Sequence, residues 1–110
     1  MSRGSLGEFE KVVLLAILQL GGESYGAPIL DEIERRVGQI PSSGTLYVAL
    51  RRLERRGLLS SSFGDPTPER GGRAKRFFRV KPEAIRLLRR SQELWSSMSE
   101  GLGPVLEGEA

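Results

Sequence analysis

Arginine is the residue type whose placement in this sequence points most clearly to a chemistry. Arg51, Arg52 and Arg55 lie within a stretch of five residues. If this stretch is helical, an advance of about 100° per residue places the three side chains on one face. An arginine can bind phosphate, and it can grip guanine through two hydrogen bonds that discriminate against the wrong base by roughly 1–3 kcal/mol. The pattern therefore predicts binding to a polyanion such as a nucleic acid.

Other residues of the same segment suit close contact with a nucleic acid. Gly44 has no side chain to hold the helix away from a groove, and Tyr47 can donate its hydroxyl to phosphate. We expect Arg51 to read a base and Arg55 to contact phosphate, because Arg51 is the nearer of the two to the N-terminal half of the helix, and that half of a recognition helix meets the base edges. The alternative is an arginine-rich solvent face with Tyr47 half buried against the domain. The expected contacts are Ser42, Ser43, Gly44, Thr45, Tyr47, Val48, Arg51, Arg52 and Arg55.

The composition disfavours most catalytic chemistry. The chain contains no cysteine and no histidine, so disulfides, thiolate metal sites and the commonest general base are missing. We expect five of the six carboxylates in residues 1–50 to be helix-surface charge, namely Glu8, Glu10, Asp31, Glu32 and Glu34. The sequence therefore predicts neither an enzyme nor a metal or cofactor site.

Positive charge is concentrated in the middle of the chain. The net charge is only +3, but residues 51–79 carry nine Lys/Arg against three Asp/Glu, which is +6. Residues 1–50 carry four against six, and residues 80–110 carry four against five. A basic block suits a polyanionic partner. A solvated basic face without any partner would give the same pattern.

Two helices are predicted before the arginine segment. Apolar residues recur at helical spacing from Glu8 to Leu20, where Gly21 and Gly22 follow. Ser24 is the expected N-cap of a second helix, and its C-terminal stop is Gly38. The apolar positions of this second helix are Ile29, Ile33 and Val37.

A third helix is predicted from about Ser43 to Arg56, capped by the serine pair at 42 and 43 and ended by Gly57. Its buried stripe is Leu46, Leu50 and Leu53. The second and third helices are separated by a few residues, and the third is capped and basic. This arrangement matches the helix-turn-helix pattern.

A hairpin follows the third helix. Leu58 to Phe63 and Lys75 to Val80 are typical of two short strands, and the proline- and glycine-rich segment between them is expected to be an exposed loop. A flexible basic loop beside a recognition helix can follow the DNA backbone or enter the minor groove. The expected contacts of this wing are Arg70, Arg73, Lys75 and Arg76.

A last amphipathic helix is predicted from Pro82 to about Leu102. It follows the compact unit rather than lying inside it, so a two-fold partner is the simplest way to bury its apolar stripe. The first helix also has a second apolar face, for which burial within its own domain is the alternative. The predicted dimer interface is Leu14, Leu15, Leu18, Leu88, Trp95, Met98 and Leu102.

The sequence gives no indication of a membrane protein. Met1 to Gly7 lacks a signal pattern, and no apolar run approaches the roughly 18 residues that a membrane span needs. We therefore expect a cytoplasmic protein that contacts no membrane.

Taken in order, these segments resemble the PadR family of transcriptional regulators in its short form, with one C-terminal dimerisation helix. The resemblance covers about residues 6 to 102. It is carried by Leu6-Gly7-Glu8-Phe9-Glu10, Ser24-Tyr25-Gly26, Ser43-Gly44-Thr45-Leu46-Tyr47, Gly57-Leu58-Leu59 and the segment from Pro68 to Val80. Val48 and the pair Phe77-Phe78 depart from the residues commoner in the family, so the operator sequence does not carry over.

The resemblance implies a mainly α fold with a small β-hairpin, which is a winged helix-turn-helix domain over residues 1–80. A dimerisation helix over 81–102 and a frayed tail over 103–110 complete the expected organisation. The implied function is that of a repressor that binds double-stranded DNA at an inverted repeat as a homodimer and is released by a small molecule. A winged-helix module that binds protein instead of DNA is the alternative function.

Trp95 is the only tryptophan, and it lies in the middle of the apolar stripe of the last helix. Some short members of the family bind flat aromatic compounds against a tryptophan in a comparable helix. The resemblance therefore implies that Trp95 contacts a small aromatic effector. The alternative is that this side chain only packs the dimer interface.

Overall fold

The computed structural model describes residues 5–64 and 74–108 of the 110-residue chain. Within these ranges the helices are α1 (Glu8–Gln19), α2 (Gly26–Val37), α3 (Ser43–Arg55), α4 (Pro82–Met98) and the single turn α5 (Gly103–Leu106). The strands are β1 (Glu23–Ser24), β2 (Leu59–Phe63) and β3 (Arg76–Val80). The predicted helices and hairpin strands are confirmed to within a few residues at their ends.

The helix ends are fixed by local hydrogen bonds and by glycine. At α1 the Glu10 carboxylate accepts the backbone N–H of Gly7 at 2.8 Å. At α3 the Ser42 hydroxyl accepts the backbone N–H of Thr45 at 3.0 Å, which confirms the predicted cap. α2 ends at Gly38, whose φ of 88° is accessible to glycine without the steric cost of a side chain.

The core lies where α1, α2 and α3 pack against one another and against the sheet. Each of the three helices contributes apolar residues to one continuous cluster, and the predicted stripe of α3 is confirmed. In α2, Ile29 and Ile33 are buried as expected, whereas Val37 is 55% exposed. The completely buried side chains of the cluster are Val13, Leu14, Ile17, Ile29, Leu50, Leu53 and Ala84. Burying a leucine or isoleucine side chain stabilises the fold by about 1.5–3 kcal/mol, so this cluster dictates how the helices are oriented.

The sheet has three strands in the order β1-β3-β2, and both pairs are antiparallel. β3 is central, and its Phe78 pairs with Ser24 on one side and with Ser61 on the other. β1 was not predicted, and the expectation that Ser24 caps α2 is wrong. Ser24 is buried in the sheet, and Tyr25 occupies the N-cap position without a side-chain hydrogen bond.

Three helices followed by a two-stranded hairpin constitute the predicted winged helix-turn-helix fold, which is thereby confirmed. α2 and α3 form the helix-turn-helix, and β2 and β3 are the strands of the wing. The turn between these strands, including Arg70 and Arg73, lies outside the described residues.

α4 projects away from this unit. Its sole buried residue is Ala84 near its start, and the described chain measures 56 × 29 × 22 Å along its principal axes. α4 ends at Met98, four residues before the expected end at Leu102. The tail that we expected to be frayed includes the helical turn α5. None of the described helices is long and apolar enough to cross a lipid bilayer.

Two carboxylates that we expected to be surface charge are instead buried in ion pairs. Glu10 of α1 accepts a hydrogen bond from Arg56, at the end of α3, at 2.9 Å. Glu32 of α2 accepts hydrogen bonds from Arg35 at 2.9 Å and from Arg36. The expectation that Glu10 and Glu32 are surface charge is therefore corrected, because each residue is only 7% exposed.

The ion pairs of Glu32 with Arg35 and Arg36 lead to a prediction about how stability depends on pH. Hydrogen bonds from Arg36 and Arg35 hold the pKa of this carboxyl below its ordinary value of 4.5. A group whose pKa is lower in the folded state stabilises the fold above the pKa of the unfolded state, and this contribution is lost as the pH falls through the folded-state pKa. Glu32→Gln is therefore expected to lower the thermal unfolding midpoint at pH 7, with the difference from wild type shrinking below pH 4.5.

Glu34→Gln is the matched control, because it removes the same charge from an exposed position of the same helix. Thermal unfolding followed by circular dichroism at several pH values makes the measurement. A Glu32→Gln deficit that persists unchanged at acidic pH would contradict the assignment.

Candidate nucleic-acid interface

The outer face of α3 is open to solvent along its whole length. Leu46, Ala49, Leu50 and Leu53 point into the core, so the opposite side chains must point outward. A shallow concavity on that side is lined by Gly44, Tyr47, Val48, Arg51 and Arg55. The structure therefore brings together five of the expected contact residues on a single surface, which we call the arginine face.

The edge of the arginine face nearer to α1 carries the rest of the expected set. Thr45 and Arg52 line a second shallow concavity together with Phe9, which the sequence analysis did not single out. Ser42 and Ser43 lie at the N-terminal end and are exposed. The Ser42 hydroxyl also donates to the Thr45 hydroxyl at 2.9 Å, so its first role is to hold the start of the helix.

The arginines of the α3 outer surface form no ion pair with any described residue. Among residues 5–64 and 74–108, no carboxylate lies within ion-pair distance of Arg51, Arg52 or Arg55. All three side chains are exposed. A surface with several positive charges and no counter-charge attracts polyanions over a distance of about one Debye length, roughly 8 Å at physiological salt.

Tyr47 lies on the border between the arginine face and the wing. Its ring packs edge-on against Phe78 of β3, with 6.2 Å between the ring centroids and 87° between the planes. The residue remains 42% exposed. Tyr47 is therefore half buried against the domain, and it also stays accessible from the arginine face.

Of the expected wing contacts, Lys75 and Arg76 lie within the described residues, and Arg76 turns toward the body of the domain. Its guanidinium donates to Glu54 at 3.0 Å and to Ser61 at 3.1 and 3.2 Å, and its side chain is only 26% exposed. We expected Arg76 to contact DNA, and this stays a prediction; Nε and one of the two terminal nitrogens are engaged on the body of the domain. The Lys75 ammonium lies 4.2 Å from the centroid of the Tyr25 ring at the root of the wing.

A separate apolar surface lies between α1 and α4. An open concavity of about 510 Å³ is lined by four of the predicted interface residues, Leu15, Leu18, Leu88 and Trp95. The expectation that Leu14 lies at a dimer interface is corrected, because Leu14 is completely buried in the core of its own chain and no part of it is left for a partner. The first helix has fewer free apolar residues than its sequence suggested.

The distal half of α4 continues this surface. Trp95 is 65% exposed, Met98 is 71% exposed and Leu102, just beyond the helix, is 43% exposed. We call the surface formed by Leu15, Leu18, Leu88, Trp95, Met98 and Leu102 the α1–α4 surface. Such a row of exposed large apolar side chains is unusual for a monomer and typical of an interaction site.

Three residues that were not predicted at this surface, Lys11, Ile85 and Arg89, also line the concavity. Lys11 also joins α1 to α4, since its ammonium donates to the Ser91 hydroxyl at 3.3 Å. Ile85 lies three residues before Leu88, and Arg89 lies four residues after Ile85. Both spacings place side chains on one face of a helix, so these two residues could have been found from the sequence. The position of Lys11 could not, because it depends on how α4 crosses α1.

Comparison with known proteins places this geometry in a family. The profile of the PadR-like family of transcriptional regulators matches residues 14–84, well over half of the chain. A PadR family transcriptional regulator from Eggerthella lenta shares 29% sequence identity, covering 92% of this chain and 88% of its own, with a TM-score of 0.67. A transcriptional regulator from Clostridium thermocellum shares 26% identity, covering 84% of each chain, also with a TM-score of 0.67.

A PadR-like transcriptional regulator from Bacillus cereus is 20% identical and shows the fold alone, with a TM-score of 0.70 over 92% of this chain and 93% of its own. No curated protein matches the sequence. The family profile covers the second half of α1, all of α2 and α3 and the three strands, and so includes the whole of the helix that carries the arginine face. This chain therefore belongs to the PadR-like family of transcriptional regulators.

Proposed function

We propose that the protein is a sequence-specific DNA-binding repressor that recognises an inverted-repeat operator as a homodimer. The observation that carries the proposal is the arginine face of α3, which is exposed, lacks described counter-charges and lies opposite the buried leucine stripe. Membership of the PadR-like family of transcriptional regulators supports it.

The proposed docking places α3 in the major groove, which is wide enough to admit a helix. Gly44 and Val48 allow the helix to approach the floor of the groove closely, and Arg51 reaches a base edge there. Arg52 and Arg55 lie further along the helix and contact the backbone. The turn of the wing, with Arg70 and Arg73, adds backbone contacts in this proposal.

The homodimer is proposed from the α1–α4 surface. Four of its six apolar side chains are exposed in the single chain, and Leu18 and Leu88 are partly buried. A second copy related by a two-fold axis would cover this surface with the same residues. If the two α3 helices then lie about 34–36 Å apart, they meet successive major grooves on one side of the duplex. Each subunit would read one half-site.

A small planar aromatic effector is part of the proposal. The concavity beside Trp95 measures about 510 Å³, within the range of roughly 300–1,000 Å³ that is common for ligand pockets. A ligand that stacks on Trp95 is expected to quench its fluorescence, which reports on this site alone because the chain has one tryptophan. The measurement is a titration with a planar aromatic dye. An absence of quenching at high dye concentration would contradict an effector site at Trp95.

The competing function is a winged-helix module that binds an acidic protein. Binding to random-sequence duplex DNA at micromolar concentration distinguishes the two, because DNA binding by counterion release weakens steeply as salt increases. The proposed function predicts this salt-dependent binding. Its absence would favour the protein-binding alternative.

Arg51→Ala is expected to relax specificity at one base position in each half-site. The lost contact is worth roughly 1–3 kcal/mol of discrimination, and the other contacts of the arginine face remain. The measurement is the affinity of wild type and variant for a tightly bound duplex and for all its single-base variants. Arg86→Ala is the matched control, because it removes the same charge from an exposed position of α4. A uniform loss of affinity across all duplexes would refute base reading by Arg51.

Met98→Glu is expected to convert the dimer into a monomer, because it places a charge in the centre of an apolar interface. Met98 is 71% exposed in the single chain, so the subunit itself keeps its fold. Ser97→Glu adds the same charge about 100° away around α4, on the side opposite Leu88, and is expected to leave the dimer intact. Analytical ultracentrifugation makes the measurement, and a Met98→Glu protein that stays dimeric would place the interface elsewhere.

A further inference from the structure

Side chains from α3, β2 and β3 meet in one hydrogen-bonded cluster at the root of the wing. The Ser61 hydroxyl donates to the Glu54 carboxylate at 2.6 Å, and Arg76 donates to the other oxygen of that carboxylate at 3.0 Å. Arg76 also donates to the Ser61 hydroxyl through two of its nitrogens, at 3.2 and 3.1 Å. Each of the three residues therefore bonds to both of the others, so none can move alone without breaking a bond.

The cluster is shielded from solvent on the side of the sheet. The Arg76 guanidinium carbon lies 5.6 Å from the centroid of the Phe63 ring and 5.5 Å from that of the Phe78 ring. The side chains of Glu54 and Arg76 are 29% and 26% exposed. A partly desolvated pair with several hydrogen bonds holds its geometry better than an exposed ion pair does.

α3 is joined to β3 at a second point, through Tyr47 and Phe78. Tyr47 and Glu54 are seven residues apart, so they lie on the same side of α3, two turns and about 10.5 Å from one another. Phe78 and Arg76 are two residues apart on β3 and therefore lie on the same face of the strand. A single contact would let the hairpin pivot against the helix, whereas two contacts in line fix the angle between them.

We propose that Glu54 is a positioning residue that sets the orientation of the wing hairpin relative to α3 in the DNA complex. The inference rests on the proposed function. Glu54 lies beside the arginine face, where a free carboxylate would repel phosphate, but its two oxygens are engaged by Ser61 and Arg76. We call the hydrogen-bonded cluster of Glu54, Ser61 and Arg76 the joint. Arg76 provides its contact from β3 and does not itself contact DNA.

This role has a specific consequence for binding. A wing contributes backbone contacts, which are independent of sequence, whereas base reading belongs to α3. A hairpin at the wrong angle therefore loses phosphate contacts while α3 keeps its own. The effect is measurable on random-sequence duplex DNA as a loss of affinity and as a smaller dependence of affinity on salt.

The test compares Glu54→Gln, Arg76→Gln, Arg76→Lys and the double variant Glu54→Gln/Arg76→Gln with the wild-type chain. Affinity for random-sequence duplex DNA is measured over a range of salt concentrations. Each single variant is expected to bind about tenfold more weakly, and the salt dependence is expected to fall by about one phosphate contact per subunit. The double variant is expected to be no worse than the singles, because all of them break the same joint.

Two comparisons separate positioning from simpler effects. Glu54→Gln removes a negative charge, which alone would strengthen DNA binding, and Glu34→Gln is the matched control for that gain on an exposed site. Arg76→Lys keeps the positive charge, but an ammonium cannot reproduce the fork that spans Glu54 and Ser61. The joint predicts that Arg76→Lys is as weak as Arg76→Gln, whereas a direct phosphate contact predicts that lysine restores binding.

The inference is overturned if Glu54→Gln binds as tightly as Glu34→Gln, if the two single losses add in the double variant, or if Arg76→Lys restores binding. Circular dichroism at the assay temperature establishes that each variant is folded. Should Glu54→Gln unfold, Arg76→Lys alone decides the question. A wild-type chain that shows no salt-dependent binding would overturn the proposed function, and the inference with it.

Discussion

Leu46, Leu50 and Leu53 bury one stripe of α3 against α1, α2 and β2, and none of the three is more than 2% exposed. Rotating the helix about its axis would bring these leucines into water at a cost of about 1.5–3 kcal/mol each. The opposite stripe is therefore held outward, and the arginine face is a direct result of apolar packing. The site needs no further device to expose its charges.

The arginines of this region have two different roles, and the difference follows from where the helix places each side chain. Arg51, Arg52 and Arg55 lie on the outer stripe without described counter-charges, whereas Arg56, just past the end of α3, turns back to Glu10 of α1. On the wing, Arg76 likewise turns inward to Glu54. Inward arginines join elements of the fold, and the outward ones leave a concentrated positive surface whose self-repulsion is offset when a polyanion binds.

Sequence periodicity predicted α1, α2, α3 and the start of α4, because a 3.6-residue repeat reports which side of a helix is buried. It could not predict β1, since a strand of two residues has no period and exists only through its pairing with β3. Leu14 was misplaced because α1 is apolar on almost every side, so spacing did not distinguish the core from the surface. The outer stripe of the candidate site was predicted from α3 alone.

The ion pairs of Glu10, Glu32 and Arg76 show a second limit of prediction from sequence. Glu32 has Arg35 and Arg36 three and four residues later, and this spacing was available in the sequence as a sign of pairing within a helix. The partners of Glu10 and Arg76 are 46 and 22 residues away, so only the packed fold identifies them. Assignments that depend on one helix were therefore predictable, and those that depend on two elements were not.

Selection of bound duplexes from a random pool tests whether two copies of α3 read an operator, because the recovered sequences report recognition, symmetry and spacing together. Two copies of α3 on successive major grooves predict an enriched inverted repeat whose half-sites are centred about 10–10.5 base pairs apart, or a multiple of that distance. Recovery of no enriched sequence, or of a single unrepeated element, would contradict the account.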